Sequence, residues 1–135
     1  MVVAFVGVSH PKRTALQAAN LPIPNPVQVQ ALVDTGASDL CVDPSILNQL
    51  GLIPTGSCQV NTPTTGPQPA QSALYDVSFF IPAGPGQPPF AIQTMPAIAS
   101  DLLCLQGFHV LVGRSVLRNC LLTYDGLGGL FSLAY

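Results

Sequence analysis

The chain reads as an all-β protein, and three observations predict it. Its 135 residues include 14 prolines and 12 glycines, which cut the chain into short segments. Those segments are rich in β-branched and aromatic residues, and several alternate apolar with polar positions at the period of a strand. Apolar residues make up 48 % of the chain and are spread along its whole length, which excludes a disordered polypeptide. The length fits one domain, residues 1–135, with a real but modest core.

Strands are expected near Val2–Val8, Val27–Val33, Asp39–Val42, Ser57–Asn61, Ala73–Ile81, Phe90–Ala99, His109–Val112, Cys120–Tyr124 and Leu130–Ala134. Between the first two, the prolines of Pro22-Ile-Pro-Asn-Pro26 make a stiff connector that cannot pair inside a sheet. One short helix is well signalled after Val42. Asp43 caps it and Pro44 suits its first position. Ile46, Leu47 and Leu50 supply an apolar face, and Gly51 ends it. The proline- and glycine-rich stretch from Pro82 to Pro89 makes a wide loop between two strands. A second helical turn is expected after Gly113, with Leu117 inward and Arg118-Asn119 at its end. The tail reads as a hairpin turning at Asp125-Gly126.

Composition narrows the function classes. Charged residues are only 7 % of the chain, so much of the surface must be apolar or uncharged, and such a chain gains by covering surface against a second copy of itself. Four basic residues and a net charge of −2 are too few for a phosphate-tracking patch, which argues against nucleic acid as a partner. No apolar run reaches membrane-spanning length, and Val110–Leu117 is interrupted by Gly113 and Arg114. The opening Met1–Val8 lacks a basic segment and a signal-peptide core, so it reads as a first strand, and the cytoplasm is the expected compartment. Cys41, Cys58, Cys104 and Cys120 form no paired motif. They read as free buried thiols, with no metal and no cofactor expected.

The most informative motif is Asp34-Thr35-Gly36. It follows the alternating run Val27-Gln-Val-Gln-Ala-Leu-Val33 and leads into Ala37-Ser38. A strand that ends in a carboxylate, a hydroxyl and a glycine anchors the carboxylate rigidly while a tight turn presents it outward. Taken alone, the same letters also describe an ordinary Asp-initiated turn between strands. Farther along stands Val110-Leu-Val-Gly-Arg-Ser-Val-Leu117.

Together, Ala31–Ser38 and Val110–Leu117 resemble the active-site loop and the apolar-Gly-Arg segment of the retropepsin-like aspartic proteases, in the same order. The motif occurs once, so the resemblance is to the single-lobe, homodimeric branch, and it covers most of Val27–Tyr135. It implies a retropepsin-like fold with one lobe and one or two short helices per chain. It also implies an endopeptidase whose two Asp34 carboxylates, one per subunit, share a proton. Thr35 would bond across the two-fold axis, and Gly36 would allow close approach and accept a substrate N–H. Ala37 stands where pepsin-type loops often carry serine. It removes a donor to the ionised pair, which points to a weakly acidic optimum.

In the family, the arginine corresponding to Arg114, next to Gly113, braces the loop through an acid. Here Ser38 stands at that acid's position and Asp39 follows, so the pairing either shifts to Asp39 or is lost. A flap over the cleft is expected across Val60–Pro69, where Thr62, Pro63, Thr64, Thr65 and Gly66, together with Asp39, would meet an extended peptide in apolar pockets. The prolines there stiffen the loop. His10 and His109 read as structural or surface residues, Asp76 as a solvent-facing strand residue, and Asp101 and Asp125 as loop residues. Two rival readings stay open: a retropepsin-shaped dimerisation or peptide-binding module without catalysis, and a processing protease released from a retroelement or phage polyprotein.

Overall fold

In the computed structural model, which describes residues 1–61, 70–101 and 103–135, the chain is predominantly β. Its strands are β1 (Val2–Val8), β2 (Val27–Val33), β3 (Cys41–Val42), β4 (Gly56–Val60), β5 (Ala70–Ile81), β6 (Phe90–Ala99), β7 (Val110–Val112), β8 (Leu121–Asp125) and β9 (Leu130–Ala134). The helices are α1 (His10–Ala18), α2 (Pro44–Gln49) and α3 (Arg114–Leu117), with a 3-10 turn at Cys104–Gln106.

Seven strands form one sheet in the order β1-β2-β7-β3-β6-β5-β4. A further β1–β5 pairing closes β1, β2, β7, β3, β6 and β5 into a small six-strand barrel, with β4 attached outside to β5. Closure removes most free sheet edges, which suits a chain with few charges available to guard them. The last two strands form a separate two-stranded sheet.

The alternation in β2 shows why the barrel fills. Val29 and Ala31 are buried while Gln28 and Gln30 point out. Inside, the fully buried side chains include Val6, Leu40, Leu47, Phe79, Val112 and Val116 in one continuous core. On the outer face Phe5 and Phe80, paired across β1 and β5, stack with ring centroids 4.8 Å apart. Gly7 faces Ser78, next to an irregularity in β5, and a Cβ on Gly7 would lie 2.8 Å from the Ser78 hydroxyl. Glycine there lets the two strands close.

Helix α2 forms as expected. Asp43 accepts from Ser45 N at 2.9 Å, Pro44 opens the helix, Ile46, Leu47 and Leu50 are buried, and Gly51 takes a left-handed φ of 65°. The expectation of one or two short helices needs correcting, because α1 is a third. Ser9 caps it by accepting from Lys12 N, Pro11 sits in the first turn, and Asn20 ends it at a left-handed φ of 53°. None of its residues is buried. It therefore carries no apolar stripe, and only its caps mark it in the sequence.

Boundaries shift elsewhere. Strand β5 starts at Ala70, because Ala70–Leu74 pair with β4. Strand β3 shrinks to Cys41–Val42, because Asp39 packs its backbone against another segment. In α3 the fully buried residue is Val116, with Leu117 half-buried at the rim of the core. No helix among the described residues is long and apolar enough to cross a membrane.

Candidate active site

The site begins where two parallel strands end together. Val33 pairs with Val112 across β2 and β7, and the next backbone bond runs from Asp34 N to Val112 O at 3.0 Å. Asp34 thus leaves the sheet from a hydrogen-bonded strand end. Its Oδ1 accepts from Gly36 N at 2.8 Å, and its carbonyl accepts from Ala37 N at 3.2 Å. A side chain bonded to the backbone two residues ahead fixes its own orientation. A Cβ on Gly36 would come within 3.1 Å of that same carboxylate oxygen. The loop is held at the surface: Thr35, Gly36, Ser38 and Asp39 are exposed, and Asp34 and Ala37 are half-buried.

The segment after β7 supports this loop from the other side. Gly113 is buried, and a Cβ on it would lie 2.4 Å from Asp39 O, 2.7 Å from Asp39 N and 2.8 Å from Ala37 O. Only glycine lets the loop sit so close, since these neighbours are backbone atoms that cannot swing aside. Two main-chain bonds then tie the segments together, Arg114 N to Ala37 O at 2.9 Å and Ser115 N to Ser38 O at 2.8 Å.

The Arg114 guanidinium completes the clamp. Nη1 donates to Thr35 O at 2.9 Å and to Gly36 O at 3.3 Å, and Nη2 donates to the Ser38 hydroxyl at 3.1 Å. Of the two alternatives expected for this arginine, an acid pairing shifted to Asp39 or an acid pairing lost, the second holds among the described residues. The forked donor set reaches two carbonyls and a hydroxyl, which need no acid.

The other titratable groups are placed for structural work. Burial, followed by the nearby Asp39, Cys58 and Asp34, pushes the Cys41 thiol up to about 11. The same surroundings disfavour its thiolate, the nucleophilic form, at neutral pH. His109 Nδ1 accepts from Gln30 N at 3.4 Å, so its ring belongs to the β2 backbone, and His10 lies exposed at the start of α1. Asp76 is half-buried in β5, opposite the exposed Pro96 and on the face away from the core residues Tyr75 and Val77, as its position suggested.

Asp43 is buried as a cap. Burial opposes its ionised form, but bonds from Ser45 and Cys104 outweigh that and hold its carboxyl below the usual value. Asp125 ends β8 and caps the following turn through Leu127 N and Gly128 N. The expectation of four buried thiols fails, because Cys41, Cys58 and Cys120 are half-buried and Cys104 is exposed. Among the described residues, no group of three or more His, Cys, Asp or Glu side chains is placed to hold a metal ion.

Thr62, Pro63, Thr64, Thr65 and Gly66, where the flap was expected, lie outside the described residues. A feature that sequence reading missed is an open groove of about 650 Å³ beside the loop, lined by Asp39, Phe90, Ile92, Met95, Ser115 and Arg118. These residues come from three separate chain segments, and no local pattern links them. No family model matches the chain, and neither does any curated protein.

Proposed function

We propose that the chain is an aspartic endopeptidase of the retropepsin type, active as a homodimer in which each subunit supplies one Asp34. The observation that carries this reading is the clamp on the Asp34 loop. A single exposed turn is held by Gly113, by Arg114 and by two main-chain bonds, with the carboxylate itself oriented by Gly36 N–H. An ordinary surface turn needs no such support, whereas a catalytic carboxylate must be held to a fraction of an ångström.

One carboxylate is half of the required chemistry. Two, about 3 Å apart, cannot both ionise and share one proton. The ionised member takes a proton from water as the water oxygen attacks the peptide carbonyl carbon. The protonated member gives its proton to the carbonyl oxygen, and collapse of the tetrahedral species expels the amine after nitrogen is protonated. Gly36 O has a second lone pair for a substrate N–H beside its bond from Arg114, and Thr35 is exposed and free to meet a partner loop. Substrate binds extended, with apolar side chains favoured because the chain has so few charges to line its pockets. Four free thiols suit a reducing, cytoplasmic compartment.

Cleavage of casein or of a peptide library by the wild-type chain, and not by Asp34→Asn, tests the reading. A wild-type dimer that binds peptides but cleaves none would make the protein a peptide-binding module. Cleavage confined to junctions in a precursor that contains this chain would make it a processing protease.

A further inference from the structure

The groove of about 650 Å³ beside the Asp34 loop runs along a strand edge that no other strand covers. On one side β6 pairs with β5, from Phe90 opposite Ile81 to Ile98 opposite Leu74. On its other side lies β3, which is two residues long and reaches Ile98 and Ala99. Ile98 N turns to that side and donates to Leu40 O at 2.9 Å. Two residues earlier, Pro96 has no N–H to offer. Among the described residues, no strand lies against this edge from Phe90 to Thr94.

The edge stays open because the chain before β3 is drawn elsewhere. Ala37 O and Ser38 O accept from Arg114 N and Ser115 N, and Asp39 packs its backbone on Gly113. That segment therefore follows α3 instead of running beside β6. The groove is the space left between them, with Ser115 and Arg118 on the wall facing β6.

Its chemistry suits a polypeptide. Phe90 and Met95 are buried and Ile92 half-buried, so the β6 side is apolar, while the exposed Asp39 and Arg118 bring opposite charges to the rim. Ser115 is bonded to Ser38 next to Asp39, and Arg118 lies three residues farther along, about 4.5 Å of helical rise. Residues 90–94 carry no charged side chain, although charge is an ordinary guard for an exposed edge. An unpaired row of N–H and C=O groups is a template for another extended chain. A small ligand cannot continue that ladder, whereas a peptide of five residues, about 17 Å long, matches residues 90–94.

We infer that the groove binds an extended segment of a partner protein, which adds to the open edge of β6 as a further strand. The segment it fits has apolar side chains toward Phe90 and Ile92, a basic residue beside Asp39 and an acidic one beside Arg118. The inference rests on the strand edge and the rim charges, and it does not require Asp34 to be catalytic.

Fluorescence anisotropy tests it on the full chain carrying Asp34→Asn, so that the probe stays intact whether or not the wild type cleaves. Two fluorescein-labelled peptides serve as probes, Lys-Val-Thr-Val-Thr-Val-Glu and the reverse order, because a strand can add in either direction. One of them should bind with a dissociation constant below about 100 μM. N-methylation of one alternate set of its backbone nitrogens should weaken binding about tenfold or more, and of the other set less than threefold, since only one set faces β6. Arg118→Glu, at an exposed position, should weaken binding about tenfold, and replacing the peptide's Glu by Lys should restore it. Absence of binding by either peptide at about 1 mM overturns the inference. So does equal tolerance of both N-methylated sets, an affinity that Arg118→Glu leaves within about threefold, or a loss that the lysine peptide does not recover. Cleavage by the wild type is scored separately. Binding without cleavage keeps the groove and removes the enzyme, and cleavage without binding does the reverse.

Discussion

Gly113 shows how much one missing methyl group can decide. Any larger residue would place its Cβ on the backbone of Ala37 and Asp39, so Gly113→Ala must push the Asp34 loop off its seat. The expected cost is about 1–3 kcal/mol, the usual range for overpacking, read as a lower urea midpoint. Arg114→Lys should leave stability nearly intact and still impair turnover, because one ammonium cannot reach two carbonyls and the Ser38 hydroxyl with the geometry of a planar fork. The measurement is kcat/KM beside a thermal melt, and equal activity of the two proteins would show that the clamp is not needed. For Asp34→Asn the fold should persist and cleavage should vanish, since asparagine keeps the shape but cannot share a proton.

Among the elements, α2 is the one whose stability should depend on acid. The Asp43 carboxyl sits below its usual value through the bonds from Ser45 and Cys104. A depressed carboxyl releases its proton more readily in the folded state. Its contribution is therefore complete above the unfolded carboxylate range and is lost as pH falls through the folded value. Asp43→Asn keeps a capping oxygen but cannot titrate, so the urea midpoint should drop less between about pH 6 and about pH 3 in the variant than in the wild type. Equal slopes would rule this account out. Asp43→Ala should cost about 0.5–2 kcal/mol at neutral pH, as loss of a cap does. By contrast α1, with no buried residue, should tolerate surface substitution freely.

At the scale of the molecule, a closed barrel places one dense core under every functional segment. Phe79 is fully buried in it, and Phe79→Ala should cost about 3–5 kcal/mol, measured by chemical denaturation. That loss should reach the Asp34 loop as well, because β2 and β7, which carry the loop and its clamp, line the same core through Val29, Ala31, Val110 and Val112. If the catalytic unit is a dimer, specific activity should fall on dilution through the dimer dissociation constant. Constant specific activity in a chain that sediments as a monomer would sink the paired-aspartate reading.

Much of this architecture was legible in the chain itself. The strand ending at Val33, the capped helix after Asp43 and the turn at the end of β8 are local devices, set by periodicity, caps and turn residues within a few positions of one another. The Asp34-Thr35-Gly36 turn is local in the same way, because its key bond spans two residues. Helix α1 was missed, since an element with no fully buried residue writes only a weak hydrophobic pattern. Contacts between distant segments were decided by the tertiary structure. Gly113 met the loop, Arg114 took carbonyls and Ser38 in place of Asp39, and the groove assembled from β6, α3 and Asp39, because the sheet lays β7 beside β2 and β3 between β7 and β6. Sequence specifies which groups can bond locally. Which remote backbone atom comes within 3 Å depends on packing the whole core, and that is a property of every buried residue at once.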